Sequence, residues 1–352
     1  MVSYKSFIVT FLLVAGLGLG SFAGFNYWID PMWTFGHAHE YNDVQAEIDE
    51  RQQKVNHIYY SDFDYDTLLI GSSRSTYINQ HSFTGMDVYN FSVSDLSFKE
   101  YKSLIDYAVR EKGSEFERII IGVDFFKSSL SQSKEDLNID EYIETVEEPF
   151  YRWKILLSQD IYEYAKRNYE LSKADEIVDL RNYNRENVAL AKEFPREVKI
   201  KQTEAKIAKF KRMFYGDKYE YNPEFKKVLQ DIEAAYPETE ILVYTTPTYE
   251  GLFNALVEEG NFGDYEKWLE DIVESTDTVY NFMYPNSVTE NISNYFDGHH
   301  FYPHVGDDIA KKISGAGGVP EDFGRKVTED NFKEHIDWVR SKIDLKTEGV
   351  TQ

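Results

Sequence analysis

Five short runs of β-forming residues recur along the chain, and helical patterns lie between them. Three of the runs are continuously apolar, which is typical of strands buried on both faces of a parallel sheet. The segments between them place apolar residues three and four positions apart, as in a helix with one buried face. This alternation predicts an α/β fold, a three-layer α/β/α sandwich with a five-stranded parallel sheet. The predicted strands are residues 67–71, 87–91, 118–123, 240–245 and 278–282, and the clearest helices are 99–112, 265–275 and 305–313.

One long stretch, residues 127–236, breaks the alternation. It is rich in charged and aromatic residues and shows helical periodicity with few strand signals, so it predicts a helical insertion within an α/β domain of residues 31–345. The insertion could cap a site, or it could be a solvated decoration with no role in chemistry. A last amphipathic helix is predicted at 328–343, and residues 346–352 are predicted to be a tail.

The first 30 residues contain the longest apolar run. Residues 7–29 carry no charge, and a helix of this length is long enough to cross a bilayer. Lys5 is the one cation before them. By the positive-inside rule, the short N-terminus stays in the cytoplasm and the rest of the chain is exported, with Tyr27 and Trp28 at the outer interface. The rival is a cleavable signal peptide, for which Ser21-Phe22-Ala23 is an acceptable site. Either interpretation predicts a location outside the cytoplasm: a single-pass membrane protein facing the periplasm or outer face, or a secreted one.

Composition narrows the classes of function. The 352 residues contain 38 lysines and arginines against 62 aspartates and glutamates, a formal net charge of −24. A nucleic acid partner is not expected, because such partners are held by cations that neutralise phosphates. The chain has no cysteine, so disulfides, zinc–thiolate sites and a cysteine nucleophile are excluded. His299, His300 and His304 could suggest a metal, but the prediction is that no metal and no cofactor is bound.

Two short motifs carry candidate chemistry. The first strand ends in Gly71-Ser72-Ser73-Arg74, and ligands bind parallel sheets outside the carboxyl ends of their strands, where helix N-terminal amides can hold an anion. Near the last strand, Asp297 and His300 lie three residues apart, so one turn could bring both to a single site. A serine nucleophile needs a base, and the base needs a group that orients it.

In this order the motifs resemble those of SGNH (GDSL-type) hydrolases. The residues that carry the resemblance are LIGSSR at 69–74, YNFSVS at 89–94, IGVD at 121–124 and DGHHFYP at 297–303. With the N-terminal apolar segment, the chain resembles in particular the membrane-anchored members linked to cell-surface polysaccharides, such as alginate O-acetylation and teichoic-acid D-alanylation proteins. The resemblance covers roughly residues 66–126 and 238–313. It implies a flavodoxin-like SGNH fold.

Carried over by position, the resemblance implies that Ser73 is the nucleophile, His300 the base and Asp297 its orienting carboxylate. It implies an oxyanion hole made by the backbone N–H groups of Ser73 and Ser92. Asp124 stands where the family has an asparagine that donates to the oxyanion, and a carboxylate cannot donate unless it is protonated.

Two further side chains have candidate roles. Arg74 could offset the charge of Asp124, or it could form a surface ion pair. Arg74 and Asn90 are also candidate substrate contacts.

With this resemblance, the sequence predicts an anchored acyl esterase or O-acyltransferase with a Ser-His-Asp triad, and the resemblance alone implies that it acts on an acylated cell-surface glycan. The alternative is a catalytically impaired glycan-binding or assembly protein of a polysaccharide-synthesis complex, which the carboxylate of Asp124 motivates. Expected partners are the glycan or an acyl donor, the membrane, and proteins of such a complex. Substrate identity, and hydrolysis as against transfer, are left open.

Overall fold

The computed structural model describes residues 4–133, 139–276 and 278–349. Its helices are α1 Tyr4–Ile29, α2 Glu50–Tyr60, α3 Tyr101–Lys112, α4 Ile139–Glu147, α5 Tyr151–Lys154, α6 Gln159–Ala174, α7 Arg196–Met213, α8 Glu224–Ala235, α9 Glu250–Glu258, α10 Phe262–Val273, α11 Pro303–Ile313 and α12 Phe332–Gly349. Its strands are β1 Gln45–Ala46, β2 Thr67–Ile70, β3 Val88–Asn90, β4 Arg118–Val123, β5 Asn182–Tyr183, β6 Ala189–Leu190, β7 Glu240–Thr245, β8 Thr278–Asn281 and β9 Arg325–Val327.

The chain forms two compact units. The N-terminal unit consists of Met1–Phe63 and Ile139–Lys192, and the sheet unit consists of Asp64–Asn138 and Glu193–Gln352. Residues 127–236, which were expected to be one insertion, are therefore divided between the two units. Residues 346–349 belong to α12, and the rest of the expected tail lies outside the described residues.

The main sheet has six strands in the order β3-β2-β4-β7-β8-β9. Its first five strands pair in parallel, and β9 pairs with β8 in the antiparallel direction. The prediction of a purely parallel, five-stranded sheet is therefore wrong: the sheet is mixed. The sequence signal for β9 is weak because the strand has three residues, Arg-Lys-Val, and two of them are charged.

Burial explains why the apolar runs were informative. Leu68, Leu69 and Ile70 of β2 have no exposed surface, and neither have the three successive isoleucines of β4. Strands covered on both faces cannot alternate between apolar and polar residues, so they read as continuous apolar runs.

Strand order also determines where a ligand can reach the sheet. The chain leaves β2 for β3 on one side, then returns to add β4, β7 and β8 on the other side. Because parallel connections are right-handed, this reversal sends the segments after β2 and β4 to opposite faces of the sheet. A crevice opens between the carboxyl ends of those two strands. Ser73 and Asp124 follow β2 and β4, so both lie at this crevice.

Helix α3 shows how local sequence sets a boundary in the sheet unit. Ser97 and Glu100 form a reciprocal capping box just before it, which satisfies backbone N–H groups that a helix start leaves unpaired. Gly113 ends it in the left-handed conformation, with φ +77°. Its buried face carries Tyr101, Leu104 and Ile105 among others, at the helical spacing that the sequence showed.

In the N-terminal unit, α1 is one continuous helix whose last turns are part of the fold. It is long and apolar enough to cross a membrane, with a mean hydropathy of 2.1. Phe22 and Phe25 pack on Tyr162 of α6, with ring centroids 5.0 and 5.6 Å apart. The buried Asn26 donates to the carbonyl of Leu156 at 2.9 Å. Just after the helix, the buried carboxylate of Asp30 pairs with Arg185 at 2.8 Å.

Helix α2 buries an unusual number of polar side chains in the same unit. Among them is Lys54, whose charge is costly to bury: the side chain is 1% exposed and its ammonium group lies 5.3 Å from the ring centre of Tyr183. Burial lowers the pKa of its ammonium group to about 7, although the carboxylate of Glu50 opposes the shift. Glu50 itself accepts a hydrogen bond from Tyr183 at 2.5 Å and pairs with Arg181 at 2.9 Å.

This lysine should give the protein a measurable pH dependence of stability. Between about pH 7 and pH 10 the unfolded chain keeps the Lys54 proton and the folded chain releases it, so the free energy of unfolding rises with pH in that window. Lys54→Met should reduce this slope by up to about 1.4 kcal/mol per pH unit. Urea unfolding in detergent micelles from about pH 7.5 to 9.5 measures it. Lys166→Met, on the exposed surface of α6, is the control and should keep the wild-type slope; an unchanged slope in Lys54→Met would contradict the assignment.

Candidate active site

Ser73 lies in a tight turn that follows β2. Ser75 N–H donates to the carbonyl of Ser72 at 2.9 Å, and Thr76 Oγ1 donates to that of Ser73 at 2.6 Å. The turn continues into a 3₁₀ helix of three residues, Ser75–Tyr77, and the next α-helix, α3, comes only after β3. The expectation of an anion held by the N-terminus of a full helix is therefore not met at this position.

Glycines at two strand ends make room for this turn. A β-carbon on Gly71 would lie 2.0 Å from Ser75 Oγ, and one on Gly122 would lie 2.4 Å from the same atom. Ser75 Oγ occupies this space to hydrogen bond with the hydroxyl of Tyr244 on β7, 2.6 Å away. The turn that carries Ser73 is therefore packed directly against the ends of the central strands.

The Asp297–His300 loop is closed by its own backbone. Tyr295 and Phe301 form an isolated antiparallel bridge, and Phe296 N–H donates to the carbonyl of His300 at 2.9 Å. Gly298 has φ +74°, a conformation that favours glycine, and a β-carbon there would lie 2.7 Å from Thr203 of α7. The loop can therefore turn tightly and still contact α7.

The structure brings Ser73, His300 and Asp297 together. Ser73 Oγ lies 3.1 Å from Nε2 of His300, and Nδ1 of His300 lies 3.2 Å from Oδ2 of Asp297. An ionised carboxylate only accepts hydrogen bonds, so Nδ1 carries the proton and Nε2 is left to accept from the serine hydroxyl. The other carboxylate oxygen, Oδ1, accepts the backbone N–H groups of His299 and His300 at 3.0 and 2.8 Å. These bonds fix the carboxylate relative to the imidazole.

A lysine that the sequence analysis did not single out shares Asp297 with the histidine. Lys206 Nζ lies 2.6 Å from the same Oδ2 that His300 contacts. Burial by itself would raise the pKa of the Asp297 carboxyl, but His300 and Lys206 outweigh it and hold that pKa well below its ordinary value. Lys206 belongs to α7, where nothing in the sequence distinguishes it from the other lysines of that helix.

The second block of the resemblance does not offer the expected oxyanion donor. Ser92 N–H donates to Oδ1 of Asn90 at 3.0 Å. The amide nitrogen of Asn90 donates to the carbonyls of Ser75 and Ile78, both at 2.9 Å. Both side chains are fully buried. Asn90 therefore holds the Ser73 turn in place and is not a substrate contact, and the Ser92 amide is already bonded within the fold.

Asp124 is also committed to the fold. Its carboxylate pairs with the guanidinium of Arg74, accepts from the hydroxyl of Ser72, and accepts from Thr246 Oγ1 at 2.6 Å. Arg74 is 1% exposed, so it forms a buried ion pair and neither a surface pair nor a substrate contact. Ser72 and Arg74 flank Ser73 in the chain, so Asp124 fixes the nucleophile turn from both sides. Thr246 could have been anticipated, because it directly follows β7.

A cavity of about 430 Å³ opens at Ser73 and His300. One wall is aromatic: Phe126, Phe210 and Phe214 contact one another with ring centroids 4.9–5.4 Å apart. Three lysines, Lys127, Lys206 and Lys209, also line it. Lys127 is paired with Asp95, which also lines the cavity, and Lys206 is paired with Asp297.

His299 forms part of the aromatic side of this cavity. Its ring lies 5.3 Å from that of Phe126 and 5.0 Å from that of Phe210. Burial and the nearby Arg74 cation lower the pKa of the imidazole well below its usual range, so the ring stays neutral. Among the described residues, no group of three or more histidine, aspartate or glutamate side chains is arranged to hold a metal ion.

A scan of protein families and a search of curated proteins found no match. Among solved structures, one described as "a putative platelet activating factor from Streptococcus pneumonia" is similar at a TM-score of 0.37 and 12% sequence identity, over 75% of this chain and 90% of that chain. A similarity at this level identifies neither a family nor an activity.

The buried ion pair between Arg74 and Asp124 should contribute strongly to the free energy of unfolding. Arg74→Met leaves the Asp124 carboxylate buried without its cation, and Asp124→Asn leaves the guanidinium unpaired. Each should lower the free energy of unfolding by about 3–5 kcal/mol. The double variant should regain much of that loss, because no charge is then stranded.

Chemical denaturation of the full chain measures these losses. Arg118→Met is the matched control, since it removes a more exposed pair with Glu240 at 3.2 Å, and it should cost under about 1 kcal/mol. Losses in the single variants as small as that of the control would show that the buried pair contributes little, and a double variant that loses the sum of the two single losses would show that Arg74 and Asp124 are not coupled.

Proposed function

We propose that this chain is a membrane-anchored acyl esterase or O-acyltransferase of the SGNH type, working outside the cytoplasm on an acylated cell-surface polysaccharide. The observation that carries the proposal is the hydrogen-bonded chain from Ser73 Oγ through His300 to Asp297, with contacts of 3.1 and 3.2 Å. These residues come from two ends of the sheet unit, more than 220 positions apart. The strand order and the crevice between β2 and β4 agree with a flavodoxin-like sandwich of that family.

The chemistry follows from the geometry. Ser73 Oγ attacks the carbonyl carbon of an ester while His300 Nε2 takes the serine proton. The protonated imidazole, held by Asp297, returns the proton to the leaving alcohol, and an acyl-serine remains. His300 then deprotonates the acceptor, which attacks the acyl carbon and releases Ser73. Water as acceptor gives hydrolysis, and a sugar hydroxyl gives transfer.

The cavity supports a substrate with an acyl group and a polar carrier. Its aromatic wall of Phe126, Phe210 and Phe214 suits a small acyl group, and its polar lining suits the carrier. The apolar helix α1 supports placement at the cell surface, since a chain held at the membrane meets surface glycans.

A second function is favoured by the state of the oxyanion region. Both expected donors beyond the nucleophile amide are replaced: Ser92 N–H is bonded to Asn90, and Asp124 is paired with Arg74. Loss of one such donor costs about 100- to 1000-fold in rate. The alternative is therefore a catalytically impaired glycan-binding or assembly protein of a polysaccharide-synthesis complex.

A fluorophosphonate probe distinguishes the two functions. The probe reacts with a serine only when a base activates it, so purified full-length protein should label covalently and Ser73→Ala should not. Ser94→Ala is the matched control: it removes another hydroxyl that lines the same cavity, and should still label. Mass spectrometry of the labelled peptide identifies the site.

The outcomes separate clearly. Labelling at Ser73, together with slow turnover of p-nitrophenyl acetate, supports the enzyme. Absence of labelling in the wild type, with measurable binding of acylated glycan, supports the alternative.

Lys206 should act as a positioning residue whose removal changes the pH profile. Its cation lies on the carboxylate that also binds His300, and it helps to hold the pKa of the Asp297 carboxyl well below its ordinary value. In Lys206→Met that carboxyl should take up a proton at higher pH, so the acidic limb of the kcat/KM profile should move to higher pH. Lys206→Arg should restore the limb. Lys209→Met, from the same helix and cavity, should leave the limb in place; an equal shift in that variant would mean that Lys206 acts through general charge and not through Asp297.

A further inference from the structure

Three large apolar side chains that lie close together in the sequence of the N-terminal unit are exposed to solvent. Phe150, Trp153 and Leu157 are 76%, 55% and 59% exposed, and we call them the apolar stripe. Phe150 directly precedes α5, Trp153 lies in α5, and Leu157 ends the 3₁₀ turn Ile155–Leu157. Tyr151 and Leu156 of the same segment are buried. The segment therefore packs part of its apolar surface into the unit and leaves these three side chains exposed.

The stripe lies beside the last turns of α1. Asn26 of α1 donates to the carbonyl of Leu156 at 2.9 Å, next to Leu157 in the chain. Trp153 packs edge-on against Phe35 with ring centroids 5.4 Å apart, and Phe35 packs against Tyr27 of α1 at 4.7 Å. The stripe is thus tied to α1 next to Leu157 by Asn26, and at Trp153 through Phe35 and Tyr27.

The length of α1 indicates where these residues would lie relative to a bilayer. From Phe7, a helix rising 1.5 Å per residue covers a hydrocarbon core of about 30 Å in about 20 residues, which ends near Asn26. The residues that contact the stripe are therefore those that would emerge at the outer surface of the bilayer. Tyr27 and Trp28 are also exposed there, and such rings are enriched at membrane interfaces.

We propose that the apolar stripe inserts into the interfacial layer of the outer leaflet of the same bilayer that α1 crosses. This rests on the proposal that α1 is an uncleaved anchor, and it is independent of the catalytic assignment. The occupant is lipid, because the stripe adjoins the apolar helix and because Phe, Trp and Leu side chains with nearby cations, here Arg152 and Lys154, are typical of interfacial segments. Arg152 stacks on Phe35 and Trp153, with its guanidinium 4.4 and 5.6 Å from their ring centres.

The absence of cysteine makes the test direct, because each introduced cysteine carries the one spin label in the chain. Phe150→Cys and Leu157→Cys report on the stripe, and Val14→Cys reports on α1. Leu180→Cys is the matched control, a leucine of the same unit that is 50% exposed. Each full-length variant is reconstituted into phosphatidylcholine–phosphatidylglycerol vesicles. Power-saturation electron paramagnetic resonance then compares the access of oxygen, which enters lipid, with that of a water-soluble nickel chelate.

The stripe labels are expected to favour oxygen over nickel, at a depth shallower than Val14, while Leu180 favours nickel. Nickel access at Phe150 and Leu157 equal to that at Leu180, with Val14 in lipid, would overturn the stripe proposal alone. Nickel access at Val14 would overturn the anchor and the stripe together. Exclusion of both reagents from the stripe would also overturn it, since that pattern indicates a protein cover.

Discussion

The buried ion pair between Arg74 and Asp124 is the constraint on which the candidate site depends. A carboxylate at a sheet crevice is stable only if its charge is matched and its oxygens are hydrogen bonded, and Arg74, Ser72 and Thr246 meet that need. Since two of these partners flank Ser73, the same contacts hold the reactive hydroxyl against the strand ends. The position that provides an oxyanion donor in the family resembled here is used in this chain to fix the nucleophile turn.

Sequence patterns anticipated the parts of this molecule that follow from local rules. Buried parallel strands read as apolar runs, and functional groups collect where such strands end, so the position of Ser73 could be predicted from β2, and the Asp297–His300 pair from its spacing of three residues. Strand β9 was missed because two of its three residues are charged and its pairing is decided by β8. Lys206 was missed because its partner lies 91 positions away in the chain, and no local pattern marks a lysine as an ion-pair partner of the loop.

The division into two units was not predicted from the sequence, for a related reason. Residues 139–192 look like a helical insertion because they are amphipathic, yet their apolar faces are satisfied by a segment far upstream, such as Phe22 and Phe25 on Tyr162. Periodicity states that a face must be covered, but not what covers it. In the same way, the sequence does not reveal that Arg74 is buried, because only the tertiary structure brings Asp124 to it and covers the pair.

Each unit is built from two separate segments of the chain, and this limits how the protein can be divided into parts. Neither unit is a continuous piece of the polypeptide, so no single cut, by protease or by gene truncation, releases the half that contains Ser73. A shortened chain that starts after residue 30 would lose α1 together with Asp30, and would strand the guanidinium of Arg185. A soluble form of the reactive half would instead require excision of two separate stretches and a designed splice between residues 138 and 193.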